Sequence, residues 1–164
     1  MNQSINWSSL ESSLTTLLCD YANERYLNYR GPKQSILTVD KDGASCTHCG
    51  LRSDGLLVDK EKLFALEVEA GQTHPDTNVG KYWQIQEKHP FQQIILFHVY
   101  TPMINSYGGR MALADFYAEK MSNDFNFIYI KQDRRNHDLS EYDAVLNEIW
   151  GDICSTLKLF LHHR

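Results

Sequence analysis

Leu10, Leu14, Leu17, Leu18 and Tyr21 recur at helical spacing, which predicts an amphipathic helix from Ser8 to about Asn28 that ends near Gly31-Pro32. Three short β-prone runs follow: Ser35 to Asp40, Leu51 to Asp59 and Leu63 to Glu69. The polar breaks Lys41-Asp42-Gly43 and Asp59-Lys60-Glu61-Lys62 between them predict an antiparallel meander. His74-Pro75-Asp76-Thr77 reads as the start of a second helix, carried by Val79, Tyr82, Trp83 and Gln86 to about Lys88. Gln93 to Tyr100 is a nearly continuous apolar run, as expected of a strand covered on both faces, and is placed at the centre of the sheet. A helix from about Ser106 to Met121, a strand from Phe125 to Lys131 and a long helix opening at Ser140 complete the chain. The order αβββαβαβα predicts an α/β fold with a mixed central sheet, its front half antiparallel and its back half parallel, flanked by helices on both faces.

The 164 residues, 42% hydrophobic and 12% aromatic, suit one globular domain spanning 1–164. The N-terminal stretch lacks the basic start and unbroken apolar run of a signal peptide, and no apolar run reaches the length of a membrane span. A cytoplasmic protein with no membrane partner is therefore expected, with Cys19, Cys46, Cys49 and Cys154 as free thiols. A formal charge of -5 gives no bulk attraction to nucleic acid, so any such contact must come from local basic patches or bound cations.

Chemistry concentrates in Leu66-Glu67-Val68-Glu69. Side chains alternate along a strand, so both glutamates point to one face, where like charges repel unless water, a proton or a cation relieves them. Asp54 lies on the preceding strand, which an antiparallel turn folds back beside Glu67, so three oxygen ligands can converge on one Mg²⁺. Such an ion polarises a phosphodiester and acidifies the water that attacks phosphorus. The alternative is a solvated edge-strand face at Glu67 and Glu69, with Asp54 a turn residue before Gly55.

Ser53-Asp54-Gly55-Leu56-Leu57-Val58 and Leu66-Glu67-Val68-Glu69-Ala70-Gly71-Gln72, in this element order, resemble the PD-(D/E)xK nuclease superfamily with its restriction-endonuclease-like fold. In that family an aspartate on one strand and an acidic-x-lysine triplet on the next hold the metal and activate water. The resemblance thus implies Asp54, Glu67 and Glu69 as metal-holding and catalytic residues, with Mg²⁺ as cofactor and Mn²⁺ as a substitute. Ser53 stands where the family has proline, and Glu69 where it has lysine. Glu69 would then act as a ligand or as a general base. The implied activity is an endonuclease of restriction or phage-defence type, acting on DNA rather than RNA. A non-catalytic module that binds nucleic acid or a protein on the same fold is the rival reading.

Further residues carry expectations of their own. Lys81, in the second helix, either reaches back to replace the missing positive charge or stands in solvent. Gln72 is a phosphate-contact candidate, and His74 beside it positions the helix entry. Glu24 continues the stripe of the first helix and faces either inward or water. Cys46-Thr47-His48-Cys49 offers one metal-binding pair where a structural zinc site needs four ligands, or else a hairpin tip. His98 reads as a hydrogen-bonded core or site-edge residue rather than a ligand. Lys131, Arg134 and Arg135 form the densest basic segment and either contact phosphates or lie in a solvated loop. The last helix, with Tyr142, Val145, Leu146, Ile149, Trp150, Ile153, Leu157, Phe160 and Leu161, is apolar over more than one stripe. That predicts a homodimer unless the first helix covers the surplus.

Overall fold

The computed structural model describes residues 6–31, 38–39, 45–46, 52–71, 74–88, 91–104 and 108–161. Helix α1 (Ser9–Glu24) is followed by strand β1 (Asn28–Arg30), the short pair β2 (Thr38–Val39) and β3 (Ser45–Cys46), and the hairpin β4 (Gly55–Asp59) and β5 (Lys62–Glu69). Then come α2 (Pro75–Lys88), β6 (Gln93–Tyr100), α3 (Gly108–Asp124), β7 (Phe127–Asp133), a 3-10 turn (Leu139–Glu141) and α4 (Tyr142–Leu161).

The main sheet has five strands in the order β1-β4-β5-β6-β7. The β1, β4 and β5 strands are antiparallel, joined at Tyr29↔Leu57 and Leu57↔Phe64. The β5, β6 and β7 strands are parallel, with Glu67↔His98 and His98↔Lys131 in register. The expected mixed sheet is present. Tight turns can join only antiparallel neighbours, and the long helical connections α2 and α3 permit parallel ones.

Three expectations change. Helix α1 stops at Glu24 because Tyr26 takes a left-handed backbone (φ 55) and the Leu27 N–H turns back to the Ala22 carbonyl at 2.9 Å. The chain thereby enters β1 before Gly31. Consequently the third strand of the meander is Asn28–Arg30. Of the expected Ser35–Asp40 strand, Thr38–Val39 belongs to a separate two-stranded sheet, and its other residues lie outside those described. The middle of the sheet is β5, with β6 beside it.

Two cores enclose the sheet. On one face Leu10, Leu14 and Leu18 of α1 and Val145, Ile149 and Ile153 of α4 pack on Phe64, Leu66 and Val68. On the other, Val79, Tyr82 and Ile85 of α2 and Ala114, Ala118 and Met121 of α3 pack on Leu63, Ala65 and Leu96. Part of the apolar surplus of α4 is covered within the chain: Leu146 and Trp150 pack on the first core, and Trp150 meets Tyr21 of α1 edge-on at 6.1 Å, while the side chains of Phe160 and Leu161 lie outside those described. Among the described residues no helix is long and apolar enough to cross a membrane.

Candidate functional site

Because β5 is central, its carboxylates are buried. Glu67 is 2% exposed and Glu69 fully enclosed, so the solvated edge-strand alternative does not hold. Leu66 and Val68 join the α1/α4 core, which sends Glu67 and Glu69 to the α2 face. There α2 presents Asn78, Lys81 and Tyr82, three and four residues apart on one side of the helix.

Lys81 Nζ is 2.7 Å from Glu67 Oε1, in an ion pair whose side chains are 8% and 2% exposed. The same ammonium donates to the Arg52 carbonyl at 2.5 Å and to Asn78 Oδ1 at 3.1 Å. The Tyr82 hydroxyl donates to Glu67 Oε1 at 2.5 Å and stands 3.0 Å from Ser53 Oγ. Burial, followed by the Glu67 charge, holds that phenol well above its usual range. Asn78 Nδ2 donates to Glu69 Oε1 at 2.8 Å, so one amide links Lys81 to the second glutamate. Glu69 Oε1 also meets His98 Nε2 at 2.7 Å, and His98 Nδ1 is 3.0 Å from the Tyr129 hydroxyl. His98 is the hydrogen-bonded core residue expected. Glu69 Oε2 is buried with no hydrogen-bond partner among the described residues.

Asp54 sits immediately before β4, where its Oδ2 accepts the Val68 N–H at 2.7 Å and so extends the β4–β5 ladder past Gly55. Burial and then the charges of Glu67 and Glu11 push its carboxyl up to about 8, against the Val68 hydrogen bond and Lys81, which favour ionisation. Glu11, on α1, is itself raised by burial and by Glu67. Its approach depends on Gly55: a Cβ there would fall 2.9 Å from Leu18 Cδ2, so the bare backbone lets α1 lie close to β4. The inward-facing acid of α1 is therefore Glu11, while Glu24 is exposed and pairs with Arg25.

Of the three expected ligands, Asp54 and Glu67 interact and Lys81 pairs with Glu67, whereas Glu69 is drawn toward His98 and Asn78. Among the described residues no group of three or more His, Cys, Asp and Glu side chains is arranged to hold a metal ion. The oxygens there are of the chemical kind a hard divalent cation takes: the Asp54 and Glu67 carboxylates, and Glu69 Oε2, which has no hydrogen-bond partner among the described residues.

Elsewhere, Lys131 is bound by Asp115 through both carboxylate oxygens (2.9 and 2.8 Å). Arg134 pairs with Glu148 at 2.9 Å and Arg135 with Asp133 at 2.5 Å. Each basic residue of this segment thus has an acid of the same chain. His74 is exposed, and its carbonyl accepts from Thr77 at the start of α2, in keeping with a helix-entry role. Gln72, His48 and Cys49 lie outside the described residues, as does the Cys46 side chain. Cys19 and Cys154 are free thiols.

Sequence reasoning found Asp54, Glu67, Glu69 and Lys81 but missed Glu11, Asn78 and the Tyr82 hydroxyl. The spacing Asn78-x-x-Lys81-Tyr82 was a usable signal, because it sets three polar tips on one helical face. The chain matches no protein-family model and no characterised protein.

Proposed function

We propose that this chain is a divalent-metal-dependent nuclease on a restriction-endonuclease-like fold, hydrolysing phosphodiester bonds in DNA, in a restriction or phage-defence setting. The observation that carries the reading is the Lys81–Glu67 pair at 2.7 Å. The sequence resemblance leaves a lysine missing at Glu69, and Lys81 brings an ammonium from the neighbouring helix to the same carboxylate cluster. Support also comes from the mixed five-stranded sheet, with Asp54 at the start of one hairpin strand and Glu67 on the next.

Asp54 and Glu67 would hold the metal, with Glu69 supplying its free oxygen. Mg²⁺ or Mn²⁺ bound there would bring positive charge to the scissile phosphate and acidify water near phosphorus. Tyr82, its hydroxyl also held by Ser53, fixes the Glu67 carboxylate, and Asn78 and His98 fix Glu69. Lys81 supplies a fixed positive charge for a phosphate oxygen, and Lys131, Arg134 and Arg135 reach phosphates only by giving up their own acids. The test is cleavage of supercoiled plasmid with Mg²⁺ or Mn²⁺. Activity should be abolished by EDTA and lost in Asp54→Ala, while the variant keeps its fold by circular dichroism. Equal cleavage by Asp54→Ala would refute the proposal.

One observation favours the rival reading, a non-catalytic module that binds nucleic acid or a protein. Glu69 is wholly enclosed and already held by His98 and Asn78, as a structural residue would be. DNA binding unaffected by EDTA, with no cleavage under any divalent cation, is its signature.

A further inference from the structure

Asp76, in the first turn of α2, is 4% exposed and uses one of its two carboxylate oxygens. Oδ2 accepts from Arg110 Nη1 of α3 at 2.8 Å, whereas Oδ1 is buried with no hydrogen-bond partner among the described residues. A buried acceptor left unpaired costs free energy until a donor reaches it. The same residue stands in the wall of a groove of about 550 Å³ between α2 and α3, which Trp83, Glu87 and Tyr117 also line. The aromatic walls are held in place: Trp83 meets Phe125 edge-on at 6.2 Å and donates through Nε1 to Glu87 Oε1 at 3.2 Å, and Tyr117 lies 6.1 Å from the Phe116 ring. Gly80 keeps the space between them clear, since a Cβ there would already lie 3.6 Å from the Tyr117 ring. Lys81, the one basic residue among those described in the wall, has its ammonium on Glu67, so the groove meets a ligand with two carboxylates and two aromatic rings.

We propose that this groove binds an organic cation, an ammonium or guanidinium group on an apolar stem, whose N–H donates to Asp76 Oδ1 while the stem lies against Trp83 and Tyr117. A charged donor makes the stronger hydrogen bond to a carboxylate, and aromatic rings attract a cation further. An anion would be repelled by Asp76 and Glu87. Arg110 does not compete for the place, because it holds the other oxygen, and its 41% exposure lets solvent screen its charge. The chemistry is shared by free amines or guanidines and by a lysine or arginine side chain of a partner protein. The proposal is independent of the acidic cluster and of the nuclease reading.

The probes are n-butylguanidinium and its neutral isostere n-butylurea, added to the ¹⁵N-labelled full chain and followed by ¹H–¹⁵N correlation spectra. The Trp83 indole N–H and the amides around Gly80 should shift saturably with n-butylguanidinium, which should bind about tenfold more tightly than n-butylurea. Asp76→Asn should weaken binding by a similar factor. Gly80→Leu should abolish it, because the new side chain fills the groove, leaves the Asp76–Arg110 pair intact and replaces glycine by a better helix former. A blocked Ala-Arg-Ala peptide separates the sources: binding as tight as that of n-butylguanidinium marks a partner's side chain, and its exclusion marks a free small molecule. No saturable shift at Trp83, equal binding of n-butylurea, or undiminished binding by Asp76→Asn or Gly80→Leu overturns the proposal. Should Asp76→Asn fail to fold, Gly80→Leu and the comparison with n-butylurea decide.

Discussion

Asp54 is the carboxyl of the site that resists ionisation. Its carboxyl is pushed up to about 8 by burial and by Glu67 and Glu11, whereas in an unfolded chain it ionises near 3.8. Between those values the folded protein holds a proton that the unfolded chain has released, so metal-free stability must fall as pH rises through this window and level off above about 8. Glu11, also raised, acts in the same direction, and the lowered Asp133 and Glu141 act only on the acid side of the window. In EDTA we expect a lower melting temperature at pH 8 than at pH 5.5, with a loss of at most about 1.4 kcal/mol per pH unit from Asp54. Asp54→Asn should flatten that slope, and parallel curves for the two proteins would count against the charge cluster. Asp54, Glu67 and Glu69 were legible in the sequence because strand alternation is a local rule. Glu11 was not, because its approach depends on how closely α1 settles on β4 at Gly55, a distance no helical pattern records. Glu24 looked equivalent on the stripe and differs only in lying where α1 has already left the sheet.

At the level of elements, the end of α1 rests on one unusual residue. Tyr26 adopts φ 55 and is 96% exposed, so it bears the cost of a left-handed backbone while its ring contributes little packing. Tyr26→Gly should therefore stabilise the fold by about 0.5–1 kcal/mol, seen as a higher urea midpoint at unchanged slope. Destabilisation would mean that the ring makes contacts its exposure does not suggest. A tyrosine in this role leaves no mark in the sequence, which is why α1 was read on toward Gly31-Pro32 and β1 was hidden inside it. The choice of β6 as the central strand failed for a related reason. Apolar continuity marks burial only when buried side chains are apolar, and β5 buries two glutamates that its helix partners satisfy. The helices α2, α3 and α4 and the strand β7 were read to within a few residues, since their periodic patterns are long and their packing agrees with them.

At the scale of the whole molecule, α4 turns its described apolar stripe of Tyr142, Val145, Ile149, Ile153 and Leu157 toward the first core. α4 packs beside α1: at its start Tyr142 hydrogen-bonds with Ser9 and Ser13 and its ring lies tilted 5.6 Å from that of Trp7, and farther along Ile149 and Ile153 are fully buried. The exposed large apolar residues among those described, such as Tyr26, Phe116 and Leu159, are scattered over different elements, which is ordinary for a monomer's surface. One helix's apolar width cannot say which neighbour covers it, so the sequence pattern predicts a homodimer with intrachain packing on the first helix as the alternative. Light scattering at micromolar concentration should return a mass near 19.0 kDa. On the proposed nuclease reading, the acidic cluster of one chain would cut one strand per encounter, which sets the expected order of plasmid products. Supercoiled DNA should convert first to open circles, with linear DNA appearing only as nicks accumulate in opposite strands. Linear product at the earliest times, without an open-circle intermediate and with a rate rising as the square of protein concentration, would show two copies acting together on the duplex. The monomer would then describe only the protein free of DNA.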